Sequence, residues 1–380
     1  MILTADALVA PGVDGPGWLQ VDGDRIAALG AGVVAADAHF PVLVPGFVDV
    51  HVHGGAGAAF PGGDVEEAAR AVAFHRAHGT TTTLASLVTA APEELRRGVD
   101  ALAELVVDGQ IAGVHLEGPW LAASRCGAHD PAQLRDPDPD ELDELLATGV
   151  IAMVTLAPER VGAIDAVRRV ACAGAVAAVG HTDADFALTR AAIEAGARHA
   201  THLFNAMAPL HHREPGPVAA LLDDERVTVE LVTDGLHVHP ALWDLVVRAA
   251  GAQRVAAVTD ATAAAGMPDG AYQLGHLDVE VVDRVARLAG GAAGLGAIAG
   301  STATADALFR NIVAHTAGPR AIALRRAATM TAATPARALG LADVGELAVG
   351  RRADLVGLSA DLAVEAVYRS GDRVTPWHDR

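Results

Sequence analysis

The chain has 380 residues, 51% of them hydrophobic, and a formal net charge of −19. That length and apolar content suffice for one large domain with a small companion. The acidity argues against nucleic acid and anionic membranes as partners, because both are gripped through Lys and Arg. All 28 basic residues are Arg, which excludes a P-loop lysine, a Schiff-base lysine and a carbamylated-lysine metal bridge. Cys126 and Cys172 are too few for a disulfide framework or a cysteine-rich metal site, so any metal must be held by His and carboxylates. No basic leader with an apolar core opens the chain, and no apolar run is of spanning length. On these features a cytoplasmic location is expected.

Residues 1–44 read as short alternating segments with Gly turns, as in "WLQVDGDRIAALG", and residues 340–380 read the same way. The two ends are expected to pair as one small β-sandwich domain. Between them, over residues 45–339, Val-, Ile- and Thr-rich runs alternate with amphipathic stretches. Eight such runs end near His53, Ser86, Glu117, Leu156, His181, His202, Asp234 and Asp260, each interval long enough for one crossover helix. This α/β pattern predicts a (β/α)8 TIM barrel rather than an open doubly wound sheet, since no glycine-rich phosphate turn follows the first strand. In the first intervening helix, Asp64 is placed to cap, Glu66 and Glu67 suit the positive end, and Gly79 follows the last turn. Residues 267–300 follow the eighth strand as Gly-rich and alternating pieces, consistent with a hairpin or flap near the mouth.

In "PGFVDVHVHGG", His51 and His53 stand two apart, which on a strand points both to one face. Alone, the pair reads equally well as core histidines. Glu117 in "GVHLEGPW", His181 in "AAVGHTD", His202 in "ATHLFNAM" and Asp260 in "AAVTDAT" occur at other strand ends. A barrel brings those ends to one rim, where such enzymes keep their chemistry. Six clustered donors without a cation would be costly to bury, so the set predicts a centre for one or two divalent ions. N and O donors suit Zn, Fe, Mn or Co without distinguishing them. A metal at this rim would activate water, and Asp260 is the natural group to take its proton.

These strings, together with "HLEGPWL", "THLFNAM" followed by "REPG", "TDGLHVHP" and "GELAVGRRADLV", resemble the amidohydrolase superfamily. Within it they resemble the branch that deacetylates amino-sugar phosphates, across nearly the whole chain. The resemblance implies metal-dependent hydrolysis of N-acetyl-D-glucosamine 6-phosphate, with acetate released. It implies Glu117, His181 and His202 as principal ligands and Asp260 as acid/base, with a second ion at His51 and His53. His129 is implied as a second catalytic group, and Ala128, His129, Asn205, Ala206, Arg213, His237, Ile298, Ala299 and Gly300 as substrate contacts. Arg213 is expected at the phosphate, in a site shared between the subunits of a homodimer. The galactosamine epimer, a cyclic amide substrate and a non-catalytic barrel scaffold stand as alternatives. Cys126 marks a loop expected to move over the substrate and to be sensitive to oxidation, whereas Cys172 is expected in the core. His75, His78, His211 and His212 read as surface or helix-face residues.

Overall fold

A computed structural model describes residues 1–13, 15–290 and 296–377. Eight parallel strands form one sheet, in sequence order. They are Phe47–Asp49, Thr80–Leu87, Gly113–Glu117, Ile151–Leu156, Val176–Val179, His199–Ala200, Thr228–Leu231 and Val255–Ala257. The first and eighth are joined by a parallel bridge between Val52 and Ala261 and by the Asp260 amide on the His51 carbonyl at 2.9 Å, which closes the barrel. An α-helix follows each strand, from Val65–Ala77 after the first to Ala305–His315 after the eighth, with Arg320–Ala328 and Thr334–Ala338 coming after that.

Local sequence explains these boundaries. Thr80–Leu87 is β-branched in its first half and buried throughout, as a strand covered on both faces must be. The helix Val65–Ala77 starts where the Asp64 carboxylate accepts the Glu67 amide at 2.8 Å, with Glu66 and Glu67 against its positive end. Several strands are shorter than their apolar runs suggest; the sixth has only two residues. The residues just beyond each ladder turn out to form the rim.

The two chain ends meet in one sheet. Strand Ala38–Pro45 pairs with Ile2–Leu8 on one side and with Leu355–Leu358 on the other, then leads through Gly46 into the first barrel strand. A bridge between Arg25 and Arg352 turns the sheet back on itself, around a core that includes Leu3, Leu19, Ile26, Leu43 and Leu355. The sheet is tied to the barrel by Arg352 on the Thr82 hydroxyl at 2.7 Å and Arg369 on the Thr81 carbonyl at 3.0 Å.

After the eighth strand, Gly270–Leu274, Leu277–Val282 and Val285–Leu288 form an antiparallel three-stranded sheet, so the expected hairpin or flap is a small meander. It packs through Leu274, Val279 and Val281 on Val88, Ala128 and Ala299. Residues 291–295 of the expected flap lie outside the described residues. Among the described residues, no helix is long and apolar enough to cross a membrane.

Two sequence expectations are corrected here. Cys172 is exposed rather than in the core, because it closes helix Ala163–Cys172 on the face away from Val167 and Val170. His75 is buried rather than on the surface, with Nε2 donating to the Gly54 carbonyl at 2.8 Å. Burial lowers its imidazole from 6.5 to about 4. The folded protein therefore binds fewer protons at this residue than the unfolded chain between those values, and stability falls as pH drops through the window. We expect His75→Gln to lose about 2 kcal/mol less than the parent between pH 7 and pH 4.5 in denaturant unfolding. Equal losses in the two proteins would reject this account.

Candidate active site

Glu117 is the last residue of its strand, while His51, His53, His181, His202 and Asp260 lie just past theirs, in the loops leading to the helices. The rim brings all six together. Glu117 Oε1 is 3.0 Å from His181 Nε2 and 2.9 Å from His202 Nε2. Its Oε2 is 3.2 Å from His53 Nε2 and 3.4 Å from both His51 Nε2 and His129 Nε2. Asp260 Oδ1 is 3.3 Å from His53 Nε2 and 3.6 Å from His51 Nε2. The carboxylate of Glu117 thus spans two groups, His51–His53–Asp260 and His181–His202.

The hydrogen bonds on the far side of each ring decide what faces inward. His53 Nδ1 donates to the Ser86 carbonyl at 3.2 Å, His181 Nδ1 to the Arg125 carbonyl at 2.8 Å, and His51 Nδ1 to Glu230 at 2.9 Å. A carbonyl can only accept, so in the neutral rings each Nε2 offers a lone pair to the centre. Three lone pairs and two carboxylates then converge, and His51 Nε2 and His53 Nε2 are only 3.1 Å apart. Acceptors alone repel; a cation resolves the conflict. The donor set therefore fits a divalent metal, with Nε2 and carboxylate oxygen ligands.

The electrostatics agree. Burial pushes the His53 imidazole down, but its hydrogen bonds to Asp260 and Glu117 bring it up to about 9. His51 is likewise depressed by burial and carried well above 6.5 by Glu117, Glu230 and Asp260. His181 is lowered to about 4 by burial, against the pull of Glu117. Burial raises the Asp260 carboxyl, yet His51 and His53 outweigh it and hold it at about 2.

His129 differs from its neighbours. The Thr89 amide donates to its Nδ1 at 3.2 Å, so the proton of the neutral ring sits on Nε2, facing the centre. It is a donor where the others accept. A cavity of about 380 Å³ opens over this group, lined also by Ala128, Asn205, Ala206, His237, Ile298 and Gly300. His237 donates Nδ1–H to Asp234 at 2.7 Å and turns Nε2 toward Asp260 Oδ2, 3.9 Å away.

Two of the expected substrate residues stand apart. Ala299 is buried behind the cavity wall against the meander. Arg213 is exposed, with Nη1 2.8 Å from His212 Nε2, and does not line the cavity. Cys126 is partly exposed, and its carbonyl accepts the His129 amide at 3.1 Å. His211 and His212 are exposed as expected.

Sequence reasoning missed the layer behind the ligands. Glu230, His199, His115 and Asp49 are buried inside the barrel; His115 bonds the Ser86 and Thr155 hydroxyls at 2.9 and 2.8 Å. The signal was present: a Glu in "VTVELV" and a His two before Glu117 place polar groups in strands that are otherwise apolar. Ser124 and Arg125 also line the cavity; the latter is held by Asp183 at 2.6 Å.

Residues 42–374 match the amidohydrolase family. An N-acetylgalactosamine-6-phosphate deacetylase of Escherichia coli O157:H7 is 38% identical, over 93% of this chain and 95% of that protein. An N-acetylglucosamine-6-phosphate deacetylase of Vibrio furnissii is 35% identical, over 87% of this chain and 82% of that one. Among solved structures, a mutant N-acetyl-D-glucosamine-6-phosphate deacetylase from Mycobacterium smegmatis, in complex with N-acetyl-D-glucosamine-6-phosphate, is 52% identical with a TM-score of 0.95. That match covers 98% of this chain and 99% of the other.

The carboxylates of Glu117, Glu230 and Asp260 raise the His51 and His53 imidazoles, so loading the centre is expected to displace protons from them. Titrating zinc into metal-free protein at pH 7 should release roughly one to two protons per chain, read calorimetrically in buffers of different ionisation enthalpy. Uptake with no buffer dependence would contradict the arrangement of donors described here.

Proposed function

Because the chain belongs to the amidohydrolase family, we propose that it hydrolyses N-acetyl-D-glucosamine 6-phosphate to D-glucosamine 6-phosphate and acetate. One observation carries this reading. The cation-demanding donors open into a sugar-sized cavity, in a chain 52% identical to a protein solved with that sugar phosphate bound.

His51, His53 and Asp260 would hold one ion, His181 and His202 a second, and Glu117 would serve both. A divalent cation bound there supplies Lewis acidity, acidifying water and polarising a carbonyl. The chain's own groups do the rest. Asp260 lies against His51 and His53 and would lie beside the cation, surroundings that favour its carboxylate, the proton-accepting form. It takes the proton of the attacking water and returns it to the leaving amine. His129 presents Nε2–H to the acetyl oxygen as negative charge grows there, a contact of the kind worth about 10²–10³ in rate.

The sugar is assigned to Ala128, Asn205, Ala206, His237, Ile298 and Gly300, with Ala299 behind them. Arg213, exposed on its own chain, is assigned to a phosphate site completed between the two subunits of a homodimer. Residues 45–339 are assigned as the catalytic unit, residues 1–44 with 340–380 as the companion, and the cytoplasm as the compartment.

The galactosamine epimer is a second reading, favoured by the Escherichia coli relative at 38% identity. Acetate release from both 6-phosphorylated epimers and their unphosphorylated forms, after chelation and metal add-back, tests the proposal. We expect the gluco 6-phosphate to lead, chelation to abolish turnover and add-back to restore it. A larger kcat/KM for the galacto epimer would transfer the assignment, and turnover unaffected by chelation would end it. Asp260→Asn should still bind substrate while losing nearly all turnover; a variant retaining a tenth of the parent rate would remove Asp260 from its role.

A further inference from the structure

Glu230 is fully buried in the barrel, on strand Thr228–Leu231, and does not line the cavity. It cannot touch substrate. Its carboxylate is nonetheless filled: Oε2 accepts His51 Nδ1–H at 2.9 Å and the His202 amide at 2.9 Å, and Oε1 accepts His199 Nε2–H at 2.9 Å. His199 is itself buried, and its Nδ1 has no partner among the described residues, so holding Glu230 is the only hydrogen bond its ring makes. A buried ion with a dedicated clamp is expensive unless its charge is used.

The histidines of the centre are not anchored alike. His53 and His181 rest on backbone carbonyls, whereas His51 alone rests on a carboxylate. A carboxylate behind an imidazole fixes its tautomer and makes the opposite nitrogen a stronger donor, more than a neutral carbonyl does. We propose that Glu230, clamped by His199, is the positioning residue that presents His51 to a divalent cation and thereby sets the occupancy of the His51–His53–Asp260 half of the centre. This rests on the metal reading above. The bond to the His202 amide links the same carboxylate to the loop of the other half, but through backbone rather than through the coordinating ring.

The test measures metal rather than turnover. Cobalt-loaded parent, Glu230→Gln and His199→Gln proteins are titrated with a chromophoric chelator, and the two halves are told apart by a His53→Ala protein that lacks one of them. In Glu230→Gln the affinity of the His51–His53–Asp260 half should fall about 10–100-fold. The Glu117–His181–His202 half should change by less than about threefold. His199→Gln should shift the first half in the same direction by a smaller factor, and serves alone if Glu230→Gln does not fold. Unchanged affinities in a normally loaded variant, or equal losses in both halves, overturn the inference alone. A parent that takes up no cobalt overturns the metal reading and this inference with it.

Discussion

Five imidazole nitrogens lie within 3.4 Å of the Glu117 carboxylate, two on Oε1 and three on Oε2. A carboxylate removed from water in this way is tolerable only when positive charge surrounds it, as protons or as a metal. The architecture follows from that need. The imidazoles come from the loops after the first, third, fifth and sixth strands, and only a closed parallel sheet turns all of those strand ends toward one point.

Holding the donors there strains the backbone. Outside glycine, left-handed φ values are uncommon, yet His181 (49°), His202 (25°), Phe204 (78°), Ala206 (49°) and Asp260 (49°) all have them. Each such residue costs on the order of 1–3 kcal/mol and persists because its surroundings leave no alternative. The restraints are visible. Asp260 is pinned from both sides, its amide on the His51 carbonyl at 2.9 Å and its carbonyl on the Ser301 amide at 2.6 Å. The Ala206 carbonyl accepts the Thr182 amide at 3.0 Å, and the His202 amide is held by Glu230. The ligand directions are therefore set in advance, so little reorganisation remains for the moment of binding.

Charge sets a second condition. At −19 the protein repels an anionic ligand at long range, and among the described residues Arg125 is the only Arg on the cavity wall, already paired with Asp183. An anionic ligand in this cavity would therefore rely on short-range donors rather than on long-range attraction.

Alternation of apolar runs, the Asp64 cap and the string of His and acidic residues at strand ends were enough to specify the barrel, its rim and the six side chains that meet there. These depend on local periodicity and on the cost of burying polar groups, and both are written along the chain. Register, hydrogen-bond partners and facing direction were not legible, because they join residues far apart in sequence. Glu230 meets His51 across 179 positions. His75 looked like a helix-surface residue until the Gly54 carbonyl supplied its acceptor, and Cys172 looked apolar until its helix was seen to turn it outward. The proton on His129 faces the centre because the Thr89 amide, 40 residues away, occupies the other nitrogen. Residue types and spacing determined which groups this protein could bring to a cation; tertiary contacts alone decided which atom of each group faces inward.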